Sequence, residues 1–207
     1  MKEFYENYWK IRGKSGFRPR YEIFLNWIEP GSKVLELGCG DGYFGELLVK
    51  DKKVDYLGID VSGEGLKIAR ERGLKVEKFD IQNGLERVSG KFDYVVMSEF
   101  LEHIINSEEI LMHASKIAKK GVLLSIPNIA YWHYRIQLIF GKFPKQWVIA
   151  PYEHLRFWSV KDFLKTLENL NLRTKYIKSS NGKKILRDLF PNLFGFQICF
   201  YVKPFAK

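Results

Sequence analysis

Three glycines at alternate positions carry the clearest chemical information in this sequence. Gly38, Gly40 and Gly42 directly follow the mostly apolar run 34–37. A buried strand that ends in such a loop brings backbone N–H groups close to a ligand, because glycine tolerates positive φ angles. The pattern suits a nucleotide-like ligand at the carboxyl end of a central strand. Tyr43 stands where a dinucleotide fingerprint has its third glycine, and no Lys-Ser or Lys-Thr pair follows, which excludes a P-loop.

Two acidic residues end the next two predicted strands. Asp60 closes the segment 56–60, about twenty residues after the glycines, where a carboxylate can accept hydrogen bonds from two ribose hydroxyls. Asp80 closes the alternating segment 74–80. Each acid also has a structural interpretation, because an aspartate after a strand often caps the next helix. The order of the acids along the chain favours a ligand site.

Histidines are the candidates for proton transfer. His103 follows the predicted fourth strand and lies beside Glu99 and Glu102, whereas His133 and His154 come later. An imidazole can remove a proton from an acceptor when its pKa is near the working pH. We predict His103 and His154 as catalytic residues, with capping or packing as the structural alternative for His103.

Composition predicts one folded α/β domain over residues 1–207. The chain is 46% apolar and 28% charged, which argues against disorder. No run approaches the roughly 20 apolar residues of a membrane span, and the charged N-terminus does not resemble a signal peptide. Cys39 and Cys199 are interpreted as packing residues in a reducing environment. We therefore expect a cytoplasmic protein.

The net charge of +10 lies entirely in the second half of the chain. Residues 1–99 carry 17 bases and 17 acids, whereas residues 100–207 carry 17 bases and 7 acids. The stretch 173–187 holds six bases and no acid. Such a surface could attract an anionic substrate, nucleic acid or a lipid surface. A solvated strand-and-loop face is the simpler interpretation, and no RNA-binding module is visible.

Alternating elements predict a parallel sheet with helices on both faces. An aromatic N-terminal segment, residues 1–30, is expected to be partly helical. Ser62 and Ser107 are predicted helix N-caps. The predicted strands are 33–37, 56–60, 75–80, 94–98, 121–126, 172–178 and 196–202, and the predicted helices are 43–50, 63–72, 108–118 and 159–170.

The segment 128–158 interrupts this alternation at the edge of the sheet where ligands bind. Apolar residues at 129, 132, 136, 139 and 140 have helical spacing. A helix packed on the domain is one interpretation. The other is a lid over a substrate site, supported by many aromatic residues, among them Tyr131, Trp147 and Tyr152.

The glycine loop and the strand-end acids together resemble class I methyltransferases that use S-adenosylmethionine. The resemblance implies a Rossmann-like fold with a seven-stranded, mostly parallel sheet, whose last strand is antiparallel between strands five and six. It implies that Glu36 orients the amino-acid end of the cofactor, that Asp80 accepts a bond from the adenine amino group and that Ile81 packs on the ring. The implied cofactor-binding set is Glu36, Gly38, Cys39, Gly40, Gly42, Asp60, Val61, Asp80, Ile81 and Ser98.

The glycine loop, the strand 92–96, the Ile-Pro-Asn sequence at 126–128 and the stretch 135–144 narrow this resemblance to the MetW group of methionine biosynthesis proteins. Three functions stay open. The first is methyl transfer to a small molecule, and the second is a cofactor-binding partner of a methionine-pathway acyltransferase. The third is an RNA methyltransferase that uses the basic half.

A set of possible metal ligands also resembles that of some RNA 3′-end and quinone methyltransferases. It comprises Glu99, Glu102, His103 and His154. Two carboxylates and two imidazoles could hold a divalent ion. Glu-His pairs also occur in methyltransferases without metal, so we predict no metal site here.

Overall fold

The computed structural model describes residues 2–84, 87–146 and 153–204. Within them, seven strands form one sheet. In chain order the strands are β1 Lys33–Leu37, β2 Asp55–Asp60, β3 Val76–Lys78, β4 Phe92–Ser98, β5 Ala118–Pro127, β6 Leu172–Gly182 and β7 Gly195–Pro204.

Helices follow most strands, as the alternation predicted, and form much of the N-terminal segment, which was expected to be partly helical. They are α1 Lys2–Arg12, α2 Pro19–Trp27, α3 Tyr43–Lys52, α4 Gly63–Glu71, α5 Ser107–Ile117, α6 Trp132–Ile139, α7 Val160–Asn169, α8 Leu186–Leu189 and α9 Pro191–Phe194. Short 3-10 turns lie at Ile81–Asn83 and Leu101–His103.

The strand order β3-β2-β1-β4-β5-β7-β6 confirms the predicted Rossmann-like topology. Strands β1 to β5 pair in parallel. Strand β7 lies between β5 and β6 and runs antiparallel to both. Because the order reverses between β1 and β4, their carboxyl ends leave a crevice in which ligands of such sheets bind.

Apolar residues cover both faces of the sheet. One buried cluster joins β1, β4, β5 and β7 to α5 and α7, with Val95, Leu124 and Phe163 among its members. The other joins the opposite face to α2 and α3, and includes Phe24 and Leu48. Burial on both faces explains why the strand sequences are nearly continuous apolar runs.

The helix caps differ from the sequence prediction at one position. The Ser62 hydroxyl accepts a hydrogen bond from the Gly65 N–H, so Ser62 caps α4 as predicted. The prediction for Ser107 is wrong, because Ser107 is already the first residue of α5 and its hydroxyl bonds the Glu108 carboxylate. Asn106 precedes the helix without a side-chain capping bond.

Two further features bear on the sequence predictions. Cys39 and Cys199 are free and buried, as expected of packing residues. Among residues 2–84, 87–146 and 153–204, every helix is too short or too polar to cross a bilayer.

Candidate functional site

A cavity of about 660 Å³ opens at the carboxyl ends of β1, β2 and β4. Its size is typical of small-molecule sites. Eleven of the twelve residues predicted as cofactor-binding or catalytic line it, and Gly42 is the exception. The lining residues from that set are Glu36, Gly38, Cys39, Gly40, Asp60, Val61, Asp80, Ile81, Ser98, His103 and His154.

The glycine loop has the left-handed backbone that its composition predicted. Gly38 has φ 75°, and a Cβ atom there would lie 2.4 Å from the Phe100 ring. Gly40 has φ 53°, and a Cβ atom would lie 2.3 Å from Trp9. Gly42 instead caps the start of α3 and packs against Ala69 of α4. A Cβ atom on Gly42 would lie 2.8 Å from the Cβ atom of Ala69. Gly42 is therefore a packing glycine outside the cavity wall.

Asp60 ends β2 at the cavity with its carboxylate fixed by two backbone groups. The N–H groups of Gly40 and Ser62 each donate to one of its oxygens at 2.8 Å. Each oxygen keeps a further lone pair, so the carboxylate can still accept hydrogen bonds from two hydroxyls. Burial raises the pKa of Asp60, and the backbone N–H groups oppose that shift. These features fit a ribose.

Asp41 is a second acid of the loop, and sequence reasoning missed its role. Its carboxylate accepts hydrogen bonds from the Ser15 N–H (2.7 Å) and hydroxyl (2.6 Å) and pairs with Arg72 at 3.0 Å. Arg72 also donates to the Asp41 carbonyl at 2.9 Å. Asp41 therefore ties the glycine loop to α4 and to the segment between α1 and α2. A partner 26 residues away leaves no local sequence signal.

Glu36 is buried under the glycine loop. Its carboxylate accepts a hydrogen bond from the Tyr56 hydroxyl at 2.6 Å. Burial raises the pKa of Glu36 to about 8, although the bond from Tyr56 opposes this shift. Burial also raises the pKa of the neighbouring Cys39 thiol, so Cys39 stays protonated and has no nucleophilic role.

Helix α1 covers the glycine loop from outside the sheet. The Glu6 carboxylate accepts hydrogen bonds from the Gly63 N–H (3.0 Å) and the Glu64 N–H (2.9 Å) at the N-terminus of α4. It also pairs with Lys78 at 2.6 Å, which holds the pKa of Glu6 down to about 2. This anchor places Tyr5 and Trp9 in the cavity wall. In the sequence, only the helical spacing of Tyr5 and Trp9 indicates that both face the same way.

Asp80 caps the 3-10 turn Ile81–Asn83, as the structural interpretation of this acid predicted. Its carboxylate accepts hydrogen bonds from the Gln82 N–H (3.1 Å) and the Asn83 side-chain amide (2.8 Å). It still lines the cavity together with the buried side chain of Ile81. A carboxylate can cap a turn and accept one more hydrogen bond, so the capping does not remove it as a ligand group.

The end of β4 forms the opposite wall of the cavity. The Ser98 hydroxyl accepts a hydrogen bond from Arg20 at 2.7 Å. Glu99 follows with φ 52°, an uncommon backbone for a residue other than glycine. One oxygen of the Glu99 carboxylate accepts a hydrogen bond from Gln197 at 2.9 Å, whereas the other is buried with no partner in the described part of the chain.

Glu102 is the most unusual polar group of this wall. Its side chain is fully buried, and neither carboxylate oxygen has a hydrogen-bond partner among the described residues. Burial, reinforced by the charge of Glu99, raises the pKa of Glu102 well above its ordinary value. A buried carboxyl without partners is costly to the fold, so this position points to a ligand group that the described residues do not supply.

His103 and His154 lie together beside Glu102. Their ring centroids are 4.9 Å apart in an edge-to-face arrangement. The His103 Nδ1 lies 2.5 Å from the Glu153 carbonyl, which can only accept, so Nδ1 carries the proton. Burial lowers the pKa of His103, and burial with the nearby charge of His103 lowers the pKa of His154 to about 4. Both imidazoles are neutral at pH 7.

One set of described residues has the spacing of metal ligands. Side-chain atoms of Glu102, His103 and His154 lie within 4.8 Å of one another. A carboxylate and two neutral imidazoles form a donor set suited to a divalent transition metal or zinc. Glu99, the fourth member of the set considered from sequence, is not part of this group.

The remaining sequence candidates lie outside this cluster. His133 is exposed on α6 and bonds Gln137 at 3.1 Å, so it does not line the cavity. Tyr134, on the same helix, does line it. Trp147 and Tyr152 of the aromatic segment lie outside the described residues. The lid interpretation of 128–158 therefore stays a prediction.

Comparison with known proteins identifies the family. The family model for methionine biosynthesis protein MetW matches residues 18–202. A bifunctional methionine biosynthesis protein MetXA/MetW of Rhodopirellula baltica is 28% identical over 195 residues, covering 83% of this chain and 30% of that protein. A ubiquinone biosynthesis O-methyltransferase of Dechloromonas aromatica is 33% identical over 131 residues, covering 55% of this chain and 56% of that protein.

Solved structures show the same fold at low sequence identity. Magnesium protoporphyrin IX methyltransferase of Synechocystis PCC 6803, crystallised with bound SAH, superposes with a TM-score of 0.70 at 14% identity, covering 99% of this chain and 100% of that one. A SAM-dependent methyltransferase of Archaeoglobus fulgidus gives a TM-score of 0.65 at 20% identity, covering 89% and 91%. The sheet and its helices are thus those of class I methyltransferases.

Proposed function

Since the chain belongs to the family of methionine biosynthesis protein MetW, we propose that it transfers a methyl group from S-adenosylmethionine to a small-molecule acceptor. The observation that supports this function best is the convergence of the predicted residues on one cavity of about 660 Å³. S-adenosylmethionine supplies a methyl group already activated on a sulfonium. The protein's task is then to position the acceptor and to remove a proton.

The glycine-loop wall would hold the cofactor. Gly38 and Gly40 give the loop its left-handed backbone and let Phe100 and Trp9 pack against it, and Asp60 offers free lone pairs to the ribose hydroxyls. Glu36 orients the amino-acid end, while the remaining contacts come from the other cavity-lining residues of the predicted set, namely Cys39, Val61, Asp80, Ile81 and Ser98.

The wall formed by Glu102, His103 and His154 would receive the acceptor. Both imidazoles are neutral near pH 7 because burial lowers their pKa values. A neutral imidazole can accept the proton that an attacking hydroxyl or amine gives up, although a pKa of about 4 makes His154 a weak base at pH 7. A divalent ion on the same three residues is the alternative, since it would lower the pKa of a bound hydroxyl instead.

Calorimetric titration with S-adenosylhomocysteine, with NAD as the control ligand, tests the cofactor assignment. We expect binding of the first ligand alone, and a loss of about a hundredfold in affinity for Asp60→Asn, which weakens two ribose hydrogen bonds. Binding of NAD, or unchanged affinity in the variant, would contradict the proposed site.

Acceptor screening with a labelled methyl donor tests the roles of the two histidines. His154→Gln should retain S-adenosylhomocysteine binding and lose turnover. Assays with EDTA and with added Mg²⁺ or Zn²⁺ separate the alternatives, because a general base works in chelator and a metal-bound acceptor does not. Full turnover in His154→Gln under both conditions would remove His154 from the mechanism.

A partnership with an acyltransferase is the second candidate function. Its support is the Rhodopirellula relative, whose name combines MetXA with MetW in one bifunctional protein. A pull-down of the full chain against a MetXA protein from the same source tests it. The RNA alternative rests on the basic second half of the chain alone, and a salt-dependent gel shift would test it.

A further inference from the structure

Apolar side chains crowd onto one exposed surface that the proposed function does not use. Helix α6 buries Tyr134 and half-buries Trp132 and Gln137, while the C-terminal part of the apolar stripe predicted for this segment is exposed. Ile139 is 79% exposed and Phe140 75% exposed. We call the whole set the apolar rim, which comprises Ile136, Leu138, Ile139, Phe140, Phe143, Ile185, Leu186, Leu189 and Phe190.

The two segments of the apolar rim are neighbours. Arg135 on α6 donates to the Asn192 carbonyl of α9 at 3.5 Å. The Lys183 ammonium lies 4.6 Å from the centre of the Trp132 ring. These contacts bring the start of α6 beside α9 and beside the residues before α8, so both apolar segments lie on the same side of the domain, near the cavity that Tyr134 of α6 lines. Large exposed apolar patches mark interaction surfaces in globular domains.

The charges around the apolar rim are almost all positive. Five bases lie among its residues, accompanied by a single acid, Asp188, and none of the five forms an ion pair within the described part of the chain. The bases are Arg135, Lys142, Lys183, Lys184 and Arg187. Two copies docked through this face would bring like charges together, which disfavours a symmetric dimer.

We propose that the apolar rim binds the surface of a lipid bilayer with anionic headgroups. Leucine, isoleucine and phenylalanine side chains interspersed with lysine and arginine are the composition of interfacial binding elements. The apolar chains enter the boundary of the acyl region while the bases pair with headgroup phosphates. A protein interface is a weaker fit, because the centres of such interfaces are depleted in lysine.

Vesicle co-sedimentation of the full chain tests this proposal. Vesicles of phosphatidylcholine alone are compared with vesicles that contain about 30 mol % phosphatidylglycerol, at low salt and in about 0.5 M NaCl. The double variant Ile139→Ser/Phe140→Ser removes two apolar side chains of the rim. Ile11→Ser is the matched control, since Ile11 is also 79% exposed but lies on α1.

We expect binding to the anionic vesicles that salt weakens, and a reduction of about tenfold or more in the double variant, because burial of its apolar surface is lost. The Ile11→Ser variant should bind like the original chain. Absence of binding to anionic vesicles would overturn the proposal, as would an equal loss in the control. Ultracentrifugation gives a further outcome: a dimer that the double variant dissociates would assign this surface to a second copy instead.

Discussion

The two walls of the cavity differ in how their buried polar groups are satisfied. On the glycine-loop wall, Asp41 and Asp60 each accept two or more hydrogen bonds and Glu36 accepts one, and Glu6 behind this wall also accepts several. On the wall that ends β4, Glu102 binds none through its side chain, and His154 leaves its Nδ1 unbonded among the described residues. The acids of the first wall are fixed by hydrogen bonds from the described residues, whereas Glu102 and His154 of the second wall have side-chain atoms without partners there.

Under the proposed function, this difference separates the groups that hold the cofactor from the groups that act on the acceptor. Groups fixed by several hydrogen bonds keep their geometry before a ligand arrives, which lowers the cost of binding. Groups left without partners in a buried place cost stability, and such sites are where pKa values shift and chemistry occurs. Predictions that contrast acids of the two walls test this view directly.

Glu102→Gln should have the largest effect, on the pH dependence of stability. The pKa of Glu102 is raised in the folded protein, so its contribution to stability is present at low pH and is lost as pH rises above the value of an unfolded glutamate. Because one proton is involved, the free energy of unfolding can fall by at most about 4 kcal/mol between pH 5 and pH 8. Urea unfolding in EDTA should show Glu102→Gln gaining stability over the original chain as pH rises.

The exposed Glu71→Gln serves as the control for this measurement. It should follow the original chain at every pH. A parallel pH dependence of Glu102→Gln and the original chain would mean that Glu102 is ionised at little cost, and the contrast between the walls would fail.

Gly38→Ala should have the next largest effect, on cofactor affinity. The added Cβ atom would meet the Phe100 ring at 2.4 Å where the two walls join. We expect a loss of about a hundredfold in S-adenosylhomocysteine affinity by calorimetry, since small misplacements of binding groups have effects of this size. Gly73→Ala shares the backbone strain, with φ 78° against 75°, but meets no atom within 4 Å. Equal affinities in the two variants would show that the loop tolerates a side chain.

Glu6→Gln should have the smallest effect, with a pH dependence opposite to that of Glu102→Gln. The change weakens the bonds to the N-terminus of α4 and removes the Lys78 ion pair, which should lower the free energy of unfolding by about 1 kcal/mol at pH 7. Because the pKa of Glu6 is lowered to about 2, this contribution is lost as pH falls below about 4.5. Glu3→Gln, on the exposed side of the same helix, should change nothing in thermal unfolding.

Several predicted site residues share one edge of the sheet because their positions follow from strand ends. Asp60, Asp80 and Ser98 each follow or end an apolar run, and parallel strands bring such positions to one edge of the sheet. Other site features had no such rule. The bonds from Ser15 to Asp41 and from α4 to Glu6 join segments far apart in sequence, and no periodicity announces them.

The sequence by itself predicted the strands, most of the helices between them and the residues that gather at the carboxyl edge of the sheet, because glycine spacing, apolar runs and strand-end acids are local signals. The place of the last strand in the sheet was implied by the family resemblance. Only the tertiary structure decided which acids would find hydrogen-bond donors. Gly42 packs against Ala69, Asp60 gains two backbone donors, and Glu102 gains none through its side chain. Ile136, Ile139 and Phe140, the C-terminal part of the apolar stripe predicted for this segment, likewise face outward instead of into the core. Burial and partnership depend on which segments meet in space, and that is settled by packing rather than by neighbours along the chain.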